Sequence, residues 1–512
     1  MNRRNFLKVA SLLPFTAPWV ASSNPIPQTY RTNPDTPNVL IVVFDALSAL
    51  NVSIYGYHRE TMPNLARFAE RASVYHNHCS GGNFTTPGTS SIFTGTYPWT
   101  HRALNLGATT TTTYASRNIF SEFGQNNYTR IGFSHNLWVT ILLDSFQEHL
   151  EEFILPSEIA ILDYHLSDNI FKSDIGLAFE AEYRFLNKPG KMSNSVFSSP
   201  ILGSIKMFVN KMLEKKYIQD FPRGLPGFHD IVYTLEDTID WIIDKLGNWP
   251  QPFLSYLHMM PPHDPYHTRK EFVNRFWDDW QPTGKPDHFF ANYYGSQDEL
   301  NAQRVFYDEY ILYVDSEFGR LHDFLQDNAY YENTIVVFTS DHGEMFERKI
   351  WNHNTPTLYE PIIRVPLLIS IPNETSRQDI YAPTSCVDLL PTLLHLTGRS
   401  IPEWCEGQVL PPYSQREARP DRSLFVVEAK ENAKTQPLQK ATFAMIKGDY
   451  KLIYYRGYDG YDNVFELFNL RHDPEELDDI FETRTEVASE LKKELLAKIE
   501  EKDKPFLDTE GA

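Results

Sequence analysis

Residues Val39 to Phe44 form an unbroken apolar run rich in β-branched side chains. Strand side chains alternate between two faces, so such a run fits a strand covered on both, as in the parallel sheet of an α/β domain. Thr334–Phe338 and Pro366–Ile371 repeat the pattern, and Phe253–Leu257 repeats it more loosely. Between these runs the period changes. Tyr307, Ile311, Val314, Phe318 and Leu321 advance in steps of three or four, which predicts one apolar helix face packed on a sheet. Residues 150–235 have no strand rhythm, mix aromatics with Lys and Glu, and read as a helical insertion. Pro, Arg and Glu gather near 415–422. Beyond them Ser423–Val427, Phe443–Lys447 and Lys451–Tyr455 read as short antiparallel strands, and Val487, Leu491, Leu495 and Ile499 as the spine of a terminal helix.

The pattern therefore predicts an α/β domain over 38–418, with the insertion inside it, and a smaller α+β unit over 419–512. Ahead of it, 23–37 is rich in Pro, Asn and Thr and reads as a linker. Residues 1–22 carry Arg3 and Arg4 before Phe6, Leu7 and Lys8, then a mostly apolar run from Val9 to Val20. That run is too short to span a bilayer and is broken by Pro14 and Pro18. It reads as a twin-arginine export signal, which implies a periplasmic or extracellular enzyme that leaves the cytoplasm folded. No later stretch approaches 18 apolar residues, so no stable membrane anchor is expected in the mature chain.

Composition narrows the functional classes. The 512-residue chain has 47 Lys and Arg against 67 Asp and Glu, a net charge of −20. Phosphate binding without sequence preference needs cations, so no nucleic-acid partner is expected. Hydrophobics at 41% and aromatics at 14% exclude a disordered chain. Three cysteines (Cys79, Cys386, Cys405) allow at most one disulfide and are too few and scattered for a thiolate zinc site. Trp277, Trp280, Phe289, Phe290 and Tyr293 are read as packing residues.

Two of the apolar strands end in acids. Asp45 follows the first directly, and Asp341-His342 follows Thr334 to Ser340. Open α/β sheets bind ligands at the carboxyl ends of their strands, so distant residues can converge there. Carboxylate oxygen with imidazole nitrogen suits zinc or manganese; an all-oxygen set would suit calcium or magnesium. Between them, Phe84-Thr85-Thr86-Pro87-Gly88-Thr89 looks like a helix start that presents hydroxyls where the helix dipole favours an alkoxide or an anion.

These segments resemble the sulfatase-type branch of the alkaline phosphatase superfamily. The matching stretches are Asn38–Tyr57, Thr61–Phe68, Thr85–Pro98, Pro252–Tyr266, Tyr307–Glu344 and His353–Pro372. Weaker matches are Val387–Thr392 and Phe465–Leu470 with Asp473-Pro474. The resemblance implies a central β-sheet flanked by helices and a C-terminal subdomain on a short antiparallel sheet. It implies one divalent metal ion, zinc or manganese favoured and calcium or magnesium also admitted, held by Asp45, Thr85, Asp341 and His342. Thr85 falls at the nucleophile position, and His263 and His353 fall near the transferred group. His135, Asn136 and Tyr266 are expected beside the substrate, an anionic phospho- or sulfo-ester carried on a glycan or a lipid.

The chain departs from that family at four positions. Thr85 stands where sulfatases carry the Cys or Ser that becomes formylglycine, Thr89 where they carry an Arg, Phe133 where a Lys follows Gly132, and Ala46 where a second Asp binds metal. A threonine ester cannot collapse by elimination, so water or an alcohol must attack the transferred group itself, a route suited to phosphoryl transfer. The resemblance thus implies a metal-dependent hydrolase or transferase that works on a phospho- or related ester through Thr85. The alternatives are a sulfatase using an unmodified threonine and an inactive metal- or glycan-binding protein.

Overall fold

The computed structural model describes residues 36–124, 127–163, 208, 211–228, 231–414 and 422–507. The expected export signal and all but the last two linker residues lie outside that set.

Eight strands form one central sheet: β1 Asn38–Phe44, β2 Ser73–Tyr75, β3 Thr129–Ser134, β4 Glu152–Ile154, β5 Phe253–Met259, β6 Thr334–Thr339, β7 Leu367–Ser370 and β8 Gln378–Ile380. Their order across the sheet is β8-β2-β7-β6-β1-β5-β3-β4. β1 lies in the middle, parallel to β6 (Val43 opposite Thr339) and to β5 (Val43 opposite His258). Period-two alternation divides it between two cores. Val39, Ile41 and Val43 face one, and Leu40, Val42 and Phe44 face the other, all fully buried. β7 is antiparallel to both β6 and β2. An apolar run reports burial on both faces and carries no direction, so the parallel reading of Pro366–Ile371 is corrected.

The helices used below are α1 Pro63–Ala69, α2 Thr85–Thr94, α3 Leu137–Ser145, α4 Leu235–Leu246, α5 Gln297–Asp327, α6 Leu389–Leu396 and α7 Thr485–Leu507. α5 opens on a capping box between Ser296 and Glu299. It buries Tyr307, Ile311, Val314, Phe318 and Leu321 on the core shared with Leu40, Val42 and Phe44. Each such side chain contributes about 1.5–3 kcal/mol on burial, more than the propensity of any single helical residue.

The 150–235 segment is not uniformly helical. β4 adds an edge strand beside β3, with Phe153 opposite Gly132. A 3₁₀ turn at Pro156–Glu158 and short strands at Leu162–Asp163, Gly227–Phe228 and Ile231–Val232 follow, and 211–217 is helical. Three-residue strands are too short to leave a period. Residues 164–207 lie outside the described set.

The C-terminal sheet has four antiparallel strands in chain order: β9 Leu424–Glu428, β10 Ala441–Lys447, β11 Tyr450–Arg456 and β12 Val464–Asn469. Both of its faces are covered. Phe425, Val427, Phe443 and Met445 pack with Trp99 and with Leu491, Leu495 and Ile499 of α7. Leu424, Val426, Ala444 and Ile446 pack with Met345, Leu358 and Ile362 of the main domain. The sheet is therefore wedged against the main domain, with the loop after β9 near the strand ends that carry the acids. All three cysteines are free thiols.

Candidate metal centre and active site

β1, β6, β5 and β3 run in parallel, so their carboxyl ends share one edge of the sheet. Asp45 leaves β1 there, and Asp341 and His342 follow β6. All three are fully buried, and their ligand atoms lie within 4.8 Å of one another. Thr85 joins them as the first residue of α2, its Oγ1 3.3 Å from His342 Nε2. Glycine fixes that approach: a Cβ at Gly88 would lie 2.3 Å from the Asp341 carbonyl oxygen, so only glycine lets the first turn of α2 pack on the strand end.

Neighbouring side chains orient the cluster. Asn136 caps α3 by accepting from Trp138 N at 2.9 Å. That leaves its Nδ2 to donate to Asp45 Oδ2 at 2.6 Å and to Thr85 Oγ1 at 3.3 Å. His258 of β5 donates from Nε2 to Asp45 Oδ2 at 3.0 Å while its Nδ1 accepts from Tyr256 Oη at 2.9 Å. Asp341 Oδ1 accepts from His342 N at 3.0 Å and Ala46 N at 3.3 Å. His342 donates from Nδ1 to the Gly343 carbonyl at 2.9 Å, which turns its Nε2 lone pair toward Asp45 Oδ1 at 3.4 Å and Asp341 Oδ2 at 3.6 Å.

Asp45 Oδ1 and Asp341 Oδ2 are buried with no hydrogen-bond partner. Two orphaned anionic oxygens facing an imidazole lone pair repel one another unless a cation sits among them. The charge states follow that conflict. Burial opposes ionisation of Asp45, yet the hydrogen bond from His258 and the adjacent imidazole of His342 hold its carboxyl well below the ordinary range. Burial and the charge of Asp45 push Asp341 up. Against burial, the two carboxylates push His342 up to about 9, so a proton on Nε2 stands in for the cation; a bound cation would replace that proton and take the Nε2 lone pair. The donor set fits a divalent cation: two carboxylates, one imidazole and a hydroxyl.

His353 lies beside His342, ring centroids 4.2 Å apart, and His263 beside His353 at 4.9 Å. His353 Nδ1 faces Glu344 Oε2 at 3.3 Å. Burial, then the proximity of His342 and His263, holds His353 well below the usual imidazole value. Of the expected substrate contacts, Asn136 reaches the cluster, whereas His135 and Tyr266 are engaged elsewhere. His135 accepts from Met260 N at 3.4 Å, donates to Thr238 Oγ1 at 3.2 Å and stacks on Tyr233 with centroids 3.8 Å apart. Tyr266 packs in the core against Tyr307 and Phe346. The positions that depart from the family pattern, Thr89 and Phe133, are buried. His258 was missed by the sequence reading; its signal is a lone imidazole at the carboxyl end of an otherwise apolar strand.

The family profile described as Sulfatase matches residues 37–399. The chain belongs to the sulfatase family. A second profile, N-sulphoglucosamine sulphohydrolase, C-terminal, matches residues 350–503 and takes in the four-stranded sheet. Choline-sulfatase of Rhizobium meliloti is 25% identical over 475 residues, which is 87% of this chain and 82% of that protein. Arylsulfatase K of Xenopus laevis is 27% identical over 288 residues, 50% of this chain and 53% of its own length. In fold, the chain is similar to a phosphonate monoester hydrolase of Agrobacterium radiobacter, with a TM-score of 0.66 and 17% identity, covering 90% of this chain and 95% of that one. This sulfatase-family chain is a hydrolase whose central sheet and C-terminal sheet match those of its relatives.

Proposed function

We propose that this sulfatase-family hydrolase is metal-dependent and cleaves phosphorus esters through Thr85. The observation that carries the reading is the place of Thr85 Oγ1, 3.3 Å from His342 Nε2 and 3.3 Å from Asn136 Nδ2, beside two unpartnered acid oxygens. Asp45, Asp341, His342 and Thr85 would hold the ion, zinc or manganese ahead of calcium or magnesium. Bound there, it would supply charge that lowers the pKa of a hydroxyl and polarises the ester.

The chain's own groups account for the other steps. Asn136 donates to one lone pair of Thr85 Oγ1 and so turns its proton and its other lone pair away from Asn136. The first turn of α2 offers backbone N–H groups and a positive dipole end to the alkoxide and to the incoming anion. Thr85 Oγ1, its proton given up to water, forms a bond to phosphorus as the bond to the leaving oxygen breaks, and His263 gives that oxygen a proton while neutral His353 stands beside the transferred group. Water then attacks phosphorus and gives its proton back to His263 as the bond to Thr85 Oγ1 breaks; Thr85 takes its own proton back from water, and the phosphorus acid leaves. No aldehyde precursor stands at position 85, so the sulfate-eliminating route is closed to this chain.

A panel of phosphomonoesters, phosphodiesters, phosphonates and sulfate esters of one phenol, run with several divalent metals, tests the reading. Turnover of phosphorus esters well above that of the sulfate is expected. A clear preference for the sulfate would establish a sulfatase with an unmodified threonine instead. We further propose that residues 1–22 direct twin-arginine export. Normal export of the Arg3→Lys, Arg4→Lys variant would contradict that. Among the described residues, no helix is long and apolar enough to cross a membrane.

A further inference from the structure

A cavity of about 320 Å³ opens beside His353, with Asn83, Phe84, Phe290, Lys430 and Tyr458 in its walls. Small-molecule sites run from about 300 to 1,000 Å³, so this one holds a single substituted ring rather than a chain. His353 joins it to the metal cluster, and Phe84 precedes Thr85 in sequence. A group seated here is therefore bonded to the leaving oxygen of an ester whose transferred group meets Thr85. Phe290, read from sequence as a packing residue, forms a wall of this cavity with Tyr458, ring centroids 4.9 Å apart.

The cavity's charges do not all cancel. Glu428 accepts from Tyr458 Oη at 2.6 Å and from Lys430 N at 2.9 Å. Lys440 is paired with Glu431 at 2.8 Å. Lys430 is different. Its Nζ donates to the neutral Asn354 Oδ1 at 2.8 Å, it lies 5.2 Å from the centre of the Phe84 ring, and it has no ion pair among the described residues. Burial lowers its pKa against the opposing charge of Glu428, the mark of an ammonium short of water. Asn83, 1% exposed, donates from Nδ2 to the Thr355 carbonyl at 2.6 Å, while its Oδ1 is buried without a partner. One cation without an ion pair, one acceptor and the rings of Phe84, Phe290 and Tyr458 are left for a ligand.

We propose that this cavity is the subsite for the ester's alcohol and that Lys430 selects ring alcohols carrying a carboxylate over neutral ones. The inference rests on the reading that Thr85 receives the transferred group. A desolvated ammonium against a carboxylate is a charge-assisted contact, and Asn83 Oδ1 can take a hydroxyl or amide proton on the same ring.

The test uses 4-hydroxybenzoate and its neutral counterpart 4-hydroxybenzamide, first as free alcohols in calorimetry and then as their phosphate esters. The wild type is expected to bind the carboxylate about tenfold more tightly, the scale of one hydrogen bond to a charged group. The same preference should appear in kcat/KM. In Lys430→Met the charged-over-neutral ratio should fall about tenfold, and Lys430→Arg should restore most of it. Equal binding of the two alcohols by the wild type would overturn the proposal. Equal losses on both esters in Lys430→Met would also overturn it, since Lys430 would then act on the transferred group. Selective binding of 4-hydroxybenzoate without turnover of either ester would support the subsite and count against the Thr85 reading.

Discussion

Among the described residues, two of the clusters of buried charge are built differently. Lys451 of β11, fully buried, lies 2.9 Å from Glu360 Oε1 and 2.5 Å from Glu476 Oε1, and Glu476 Oε2 also accepts from Glu360 N at 2.8 Å. Two acids there share a cation that the chain itself provides, tying the C-terminal sheet to the catalytic region. At the carboxyl ends of β1 and β6, two acids face a lone pair and keep one orphaned oxygen each. Burying an unmet charge costs several kcal/mol, so the first cluster is complete as a fold device and the second is complete only with a ligand.

The largest expected effect separates the two directly. Asp341→Ala and His342→Ala should each remove bound divalent metal and lower kcat by several orders of magnitude, with circular dichroism and melting of the metal-free protein nearly unchanged. Full metal content in either variant, read by elemental analysis, would refute the ligand assignment. Lys451→Met should do the reverse. It strands two buried carboxylates, so unfolding in urea should show a loss of about 3–5 kcal/mol, while metal per folded chain stays at the wild-type value. A stability change below the measurement error would mean that the triad contributes nothing.

Metal itself should stabilise the wild type. At a hundredfold excess over Kd the gain is about 2.7 kcal/mol, read as a rise in melting temperature that chelator reverses. Asp341→Ala should show no rise, and an equal rise would place the ion elsewhere.

The smallest effect is a pH slope. Burial and the neighbouring Glu360 raise the Glu476 carboxyl from 4.5 to about 7. The folded state then binds more protons than the unfolded one between those values, so this group's stabilisation is present below 4.5 and lost as pH rises toward 7. Glu476→Gln should flatten that decline in urea midpoints measured across the window. An unchanged slope would show that Glu476 stays ionised throughout.

Much of the frame was legible in the chain. The apolar runs of β1 and β6 and the three- and four-residue steps of α5 state their burial directly. Asp45 and Asp341-His342 were readable as a pair because each ends such a run. What the pattern hides is direction and distance. β7 is as apolar as the parallel strands β1 and β6, and only the chain path turns it around. β12 was missed because Val464–Asn469 interleaves polar residues, which suits a strand only once β11 is beside it. His135 looked like a substrate contact but is committed to Thr238 and Met260 through pairings that span more than a hundred residues. Lys430 and Glu476 carried no local signal, since the chemistry of each depends on neighbours distant in sequence.

The central claim is that Thr85 becomes covalently phosphorylated. Rapid quenching with a phosphorus ester whose second step is slow, followed by intact-protein mass and peptide mapping, tests it most directly. The account predicts one phosphoryl group per chain, located on Thr85 and absent from Thr85→Ala, whose turnover falls by several orders of magnitude. An adduct on Thr86, or wild-type turnover in Thr85→Ala, would contradict it.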